Sequence, residues 1–97
     1  KWNGKAKSQY NAKYALINNK LDTLKSNIFI ANAMVGYLNE ALKHKGDRDN
    51  FKAEARNHTT GGVIYDAKIG QANDALIKMN KAIANAKSEL ESMKTVS

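Results

Sequence analysis

From Tyr14 onward the apolar positions of the chain run Ile17, Leu21, Leu24, Ile28, Ala31, Val35, Leu38 and Leu42, in steps of three and four. Alternating steps of that kind make a heptad seam on one face of a helix. A second stripe of Ile30, Met34, Tyr37 and Ala41 widens the apolar face in the middle of the same segment. A helix with so wide a face has more than one neighbour to pack against. A second seam starts near Tyr65 and runs Ile69, Ala72, Leu76, Met79, Ile83, Ala86, Leu90 and Met93. Its opposite face carries Lys68, Asp74, Lys78, Lys81, Lys87 and Glu91, as expected of a solvated helix surface. Small Ala72 and Ala86 between Leu76, Met79 and Ile83 predict a facing helix that approaches closely at two levels.

The punctuation between the seams sets the boundaries. His44-Lys45-Gly46-Asp47 has the form of a helix end, with basic residues in the last turn and Gly46 as a left-handed cap. Thr59-Thr60-Gly61-Gly62 reads as a loop. The expectation is one all-α domain over residues 1–97, with a helix over about 4–45, a connection over 46–62 and a helix over 63–94. Gly70 weakens the last helix by about 1 kcal/mol relative to Ala without breaking it. This is a long antiparallel helical hairpin, with arms of roughly 60 and 48 Å at the α-helical rise. In it Leu21, Leu24, Ile28 and Leu38 of the first helix are expected to face Leu76, Met79, Ile83 and Leu90 of the last. Tyr14, Ile30, Met34 and Tyr37 are then left to a partner. Two helices alone bury little core, so a second hairpin is expected to complete a four-helix bundle as a homo- or heterodimer.

Composition agrees with helices. The 97 residues include no Pro and no Cys, which excludes interior helix breaks by Pro, disulfides, thiolate metal sites and thiol nucleophiles. No apolar run approaches the roughly 18–20 residues of a membrane span, and Lys1-Trp2-Asn3-Gly4-Lys5 opens no apolar stretch of the signal-peptide kind. The net charge of +7 is concentrated early: residues 1–25 hold Lys1, Lys5, Lys7, Lys13, Lys20 and Lys25 against Asp22. That distribution keeps open a basic helical nucleic-acid-binding protein as a second reading. The two Arg, Arg48 and Arg56, lie elsewhere, and no recognition motif accompanies the lysines.

No constellation points to catalysis. His44 and His58 have neither a second His at i+4 nor the Glu of a zinc-protease motif. Asp47, Asp49 and Asn50 suggest a calcium loop, but its sixth position carries no Gly and its twelfth is His58. Gly61-Gly62 lacks the Lys-Ser/Thr of a phosphate loop. The expectation is a non-enzymatic protein with no metal and no cofactor, acting through helical contacts with another protein. Self-assembly as a structural coiled-coil subunit is the third reading.

Trp2-Asn3-Gly4, followed by Ala6, Tyr10 and Tyr14, resembles the WXG family of small helical-hairpin proteins exported by type VII secretion systems. In that family Trp-x-Gly marks a turn between two helices, with a small residue and aromatics at similar offsets in the helix that follows. The resemblance implies a turn built from Trp2, Gly4, Ala6 and Tyr10, and a partner that is another helical hairpin or the helical leader of an LXG-type toxin. It also implies a location outside the cell, reached without a signal peptide, or in the cytoplasm before export. Two departures stand out. The family motif lies mid-chain, whereas here the segment resembling its first helix is 63–94. The family's export signal, Tyr followed four residues later by Asp or Glu, is not met at Tyr10, Tyr14, Tyr37 or Tyr65, which leaves a partner to supply it.

Overall fold

The computed structural model describes residues 4–96. It contains two helices, α1 (Gly4–Ala55) and α2 (Val63–Glu91), folded back on one another as an antiparallel hairpin. The molecule measures 86 × 17 × 12 Å. None of its helices is long and apolar enough to cross a membrane, among the described residues.

The turn between the helices is fixed by glycine. Asn57 and His58 N–H groups donate to the carbonyls of Glu54 and Ala55 three residues back, at 3.1 and 3.0 Å, tightening the end of α1. Thr59 to Gly62 then forms a β-turn closed by Gly62 N–H to the Thr59 carbonyl at 2.9 Å. Gly61 sits at its third position with φ +81°, where a side chain would be strained. Gly62 is extended and caps α2, and its carbonyl accepts the first helical hydrogen bond from Asp66 N–H at 2.9 Å. Asp66 lies in the first turn, where its negative charge suits the helix dipole.

The first helix does not stop at Lys45. It continues through Gly46 for ten further residues, and Gly61 is the one glycine with positive φ among the described residues. The cost of a helical glycine, about 1 kcal/mol, is smaller than what the extension gains by packing. Ala55 is fully buried against α2. Lys68 Nζ pairs with Glu54 Oε2 at 2.8 Å and stands 5.8 Å from the centre of the Phe51 ring. The far end of α2 also differs from the expected boundary, Glu91 rather than Lys94. Ser92 and Met93 N–H groups donate to carbonyls three residues back, and both backbone polar groups of Lys94 are taken by the Asn27 side chain.

The contact between the helices is made of small residues on α2 and a mixed stripe on α1. Ala72, Ala75, Ala82 and Ala86 are buried, so the close approach predicted at Ala72 and Ala86 extends to two further levels. Opposite them, Asn27, Ile30, Met34, Tyr37, Ala41, His44, Arg48, Phe51 and Ala55 are buried or half-buried, again in steps of three and four.

The expected roles of the two stripes on α1 are therefore exchanged. Ile30, Met34 and Tyr37, assigned from sequence to a partner, face α2 within the hairpin. Leu21, Leu24, Ile28 and Leu38, assigned to α2, are exposed. The reason lies next to the turn. A short connection forces α2 to begin pairing with the last turns of α1. There the first stripe continues as Lys45, Asp49 and Lys52, while the second, after His44 and Arg48, continues as Phe51 and Ala55. Only the second is apolar at its last two members, Phe51 and Ala55, beside the turn where the helices first meet.

Candidate docking face

One side of the hairpin is apolar along about half of its length. Tyr14, Ile17, Leu21, Leu24, Ile28, Val35, Leu38 and Leu42 all lie exposed on α1, from 43% for Leu38 to 64% for Leu42. They keep a strict heptad spacing over 29 residues, or about 42 Å of helix. Single exposed apolar residues such as Phe29 are ordinary, but a row of eight on one helix face is an exposed patch of the kind that proteins commonly use to bind a partner, which makes this side the candidate site.

On α2 the half-buried Ile69, Leu76 and Ile83, with exposed Leu90, recur every seven residues beside the alanine seam. They border the same side. Leu38, Ala41, Leu42 and Lys45 of α1 and Met79 and Ile83 of α2 line one open groove of about 320 Å³, almost entirely apolar. Of the seam residues expected on α2, Leu76, Met79 and Ile83 thus divide between the hairpin contact and this groove, and Leu90 is exposed.

The opposite side is polar. A groove of about 520 Å³ there is lined by Lys43, His44, Asp47, Phe51, Gln71, Asp74, Ala75 and Lys78. His44 Nδ1 lies 3.9 Å from Asp47 Oδ2. No group of three or more His, Cys, Asp or Glu gathers as a metal site among the described residues.

Below Asn27 the first helix continues as a basic arm. It carries Lys5, Lys7, Lys13, Lys20 and Lys25 against Asp22. The end of the chain runs along its base, where Thr95 and Val96 share a shallow groove with Leu16, Asn19, Lys20 and Thr23. Tyr14, one of the expected partner residues, is exposed on the arm and stacked on Tyr10, with ring centroids 6.3 Å apart and planes 13° from parallel. Of the expected turn motif, Gly4 is the first described residue of α1 and Ala6 is half-buried near its start. Trp2 lies outside the described residues.

Sequence reasoning missed Asn27, whose side chain ties the segment after α2 to α1. It also missed the part of the hairpin seam that runs through His44 and Arg48. The signal was available in spacing: His44, Arg48, Phe51 and Ala55 continue the rhythm of Ile30, Met34, Tyr37 and Ala41 once polar residues are allowed into the row.

No protein-family model matches the chain, and neither a curated protein nor a solved structure matches it. The fold established here is an all-α helical hairpin with an apolar side.

Proposed function

We propose that the chain is a non-enzymatic interaction protein that docks a second helical element on its apolar side. The observation that carries this reading is the exposed heptad row from Tyr14 to Leu42. Heptad spacing suits a long helix as the docked element, because each apolar knob then meets a matching hole at every turn. A small ligand would need a concave site, and the groove on this side is open and shallow.

The resemblance of Trp2-Asn3-Gly4, Ala6, Tyr10 and Tyr14 to the WXG family supports a more specific form of the proposal. The docked element would be another helical hairpin or the helical leader of a toxin, and the route out of the cell a type VII secretion system. The basic arm favours a second reading, binding of a nucleic acid through Lys5, Lys7, Lys13, Lys20 and Lys25. These two readings respond oppositely to salt, since phosphate contacts weaken steeply as salt rises and apolar packing does not.

Co-purification of the tagged chain with the products of neighbouring genes tests the docking reading. A helical partner should be retained by the unaltered chain and by Lys7→Glu, and lost from the double variant Leu21→Asp, Val35→Asp. A partner retained equally by all three would show that the apolar side is not the docking face.

A further inference from the structure

We infer that the docking face takes a second copy of this chain, in an antiparallel pairing of α1 with α1 about a two-fold axis at the middle of the helix. The inference rests on the docking reading above and names its occupant.

Three observations converge on a second copy. The first is the mismatch of the two helices. α1 has 52 residues and α2 has 29. The hydrogen bonds between Asn27 and Lys94 and the ion pair between Glu54 and Lys68 fix α2 alongside the later half of α1. The earlier half has no α2 helix beside it. The midpoint of Gly4–Ala55 falls between Phe29 and Ile30. A second copy reversed about that point brings its own α2 alongside residues 4–29. Two antiparallel helices related by a two-fold axis present the same flank to the same side, so both α2 helices lie on one side of the α1 pair, one after the other.

The second observation is register. The apolar row from Tyr14 to Leu42 is centred on Ile28, and of the antiparallel registers that set one seam position against the other, the one whose axis lies nearest that residue turns about the middle of the helix. Reversal about it pairs Ile28 with the partner's Ala31, Leu24 with the partner's Val35, Leu21 with the partner's Leu38, and Ile17 with the partner's Leu42. Tyr14 then lies over the aliphatic stem of the partner's Lys45, at the mouth of the apolar groove. Beyond the row Lys7 meets the partner's Lys52, a like-charge contact that limits the interface.

The third is area and charge. Eight side chains exposed by roughly half, at about 200 Å² for a full-sized apolar side chain, offer on the order of 800 Å² per copy, the share each partner gives to a stable interface. The outer flank of the row carries Asn11, Asn18, Lys25, Asn32 and Asn39. A flank with one charge in five positions lets two copies of a +7 chain approach without a row of facing lysines.

Distance measurement between spin labels tests this on the full chain, which holds no native Cys. Single Cys replacements at exposed Asn11, Asn18 and Asn39 would each carry one label, and the separation is read between two copies. With the axis at the middle of α1, the expected label separations are about 55, 35 and 30 Å in that order. Adding Leu21→Asp and Leu38→Asp should abolish the signal while helix content by circular dichroism is kept. Three equal short distances would mean a parallel pair and overturn the inference. So would separations of about 45, 24 and 39 Å, the antiparallel register shifted by one heptad position. Absence of any inter-label signal up to millimolar concentration would exclude a second copy as occupant. The docking reading would survive that result if the co-purified partner were still lost from the Leu21→Asp, Val35→Asp variant.

Discussion

The side-chain amide of Asn27 pairs with both backbone polar groups of Lys94: Asn27 Nδ2 donates to the Lys94 carbonyl at 2.7 Å, and Lys94 N–H donates to Asn27 Oδ1 at 3.0 Å. The amide thus satisfies two groups at the point where α2 has ended, across 67 residues of sequence. Asn27→Ala should expose both and release the end of the chain from α1. A pair of neutral, solvent-accessible hydrogen bonds is worth about 1–2 kcal/mol in total. Hydrogen exchange at the Lys94 amide should rise sharply in this variant while amides near Ala82 stay protected. Asn27→Asp, which keeps the acceptor and loses the donor, should fall between.

The exchange of stripes on α1 gives a sharp contrast between two sets of substitutions. Met34→Asp or Tyr37→Asp places a carboxylate in the hairpin contact and should cost several kcal/mol, unfolding the helix pair. Leu24→Asp and Val35→Asp lie on the open side and should change monomer stability by less than about 1 kcal/mol. Chemical denaturation at low protein concentration separates the two groups. Equal losses from both would show that the seam is misplaced.

Alanine at the centre of the contact sets the distance between the helices. Ala75→Leu or Ala82→Leu should push α2 away and destabilise by about 1–3 kcal/mol through overpacking. Ala67→Leu, exposed on the outer face of α2, should be close to neutral. Thermal unfolding followed by circular dichroism measures the difference.

Two glycines should respond in opposite directions. Gly61→Ala forces a side chain into a left-handed conformation and should destabilise by about 1–2 kcal/mol. Gly46→Ala should stabilise by up to about 1 kcal/mol, because Gly46 is inside a helix and nothing lies within 4 Å of the added methyl. A loss of stability at Gly46 would indicate that the position serves a close approach by another molecule.

Salt provides a test of the basic arm. If two copies of a +7 chain pair through apolar rows, added salt screens their repulsion and should tighten the pair modestly. Sedimentation at two ionic strengths reads this directly. Weaker self-association at high salt would point to ion pairs across the interface instead. Trp2, the sole Trp, gives a separate readout of the turn motif. Blue-shifted emission that moves red on dilution would support a buried ring at the end of an assembly. Emission of free Trp, insensitive to dilution, would reduce the WXG resemblance to coincidence.

Much of the architecture was legible in the sequence. Two seams with helical spacing, a Gly-Gly loop and the start of α2 at Val63 follow from periodicity and turn chemistry. The close approach at Ala72 and Ala86 follows from side-chain size. What could not be read was which of two apolar stripes on α1 would meet α2. That choice depends on how far α1 runs, and the Gly46 signal placed its end ten residues early. His44 and Asp47 then looked like the polar end of a helix, whereas they and Arg48 are half-buried residues in and beside its packed row. A pattern read from hydrophobicity alone passes over such residues. Asn27 was invisible for another reason: its role depends on a backbone segment 67 residues away.

The 86 Å length against a 17 × 12 Å cross-section has a kinetic meaning. A rod of this kind has no centre from which order spreads in all directions. Each level of the hairpin touches only the levels above and below it, as in a solenoid, and the seven-residue turn is the shortest loop that can bring the two helices together. Pairing beside that turn, where Lys68 meets Glu54, closes the smallest loop, and the contact then zips toward Asn27. The arm beyond Asn27 is the last part to gain order in a solitary chain, and the first to gain from company.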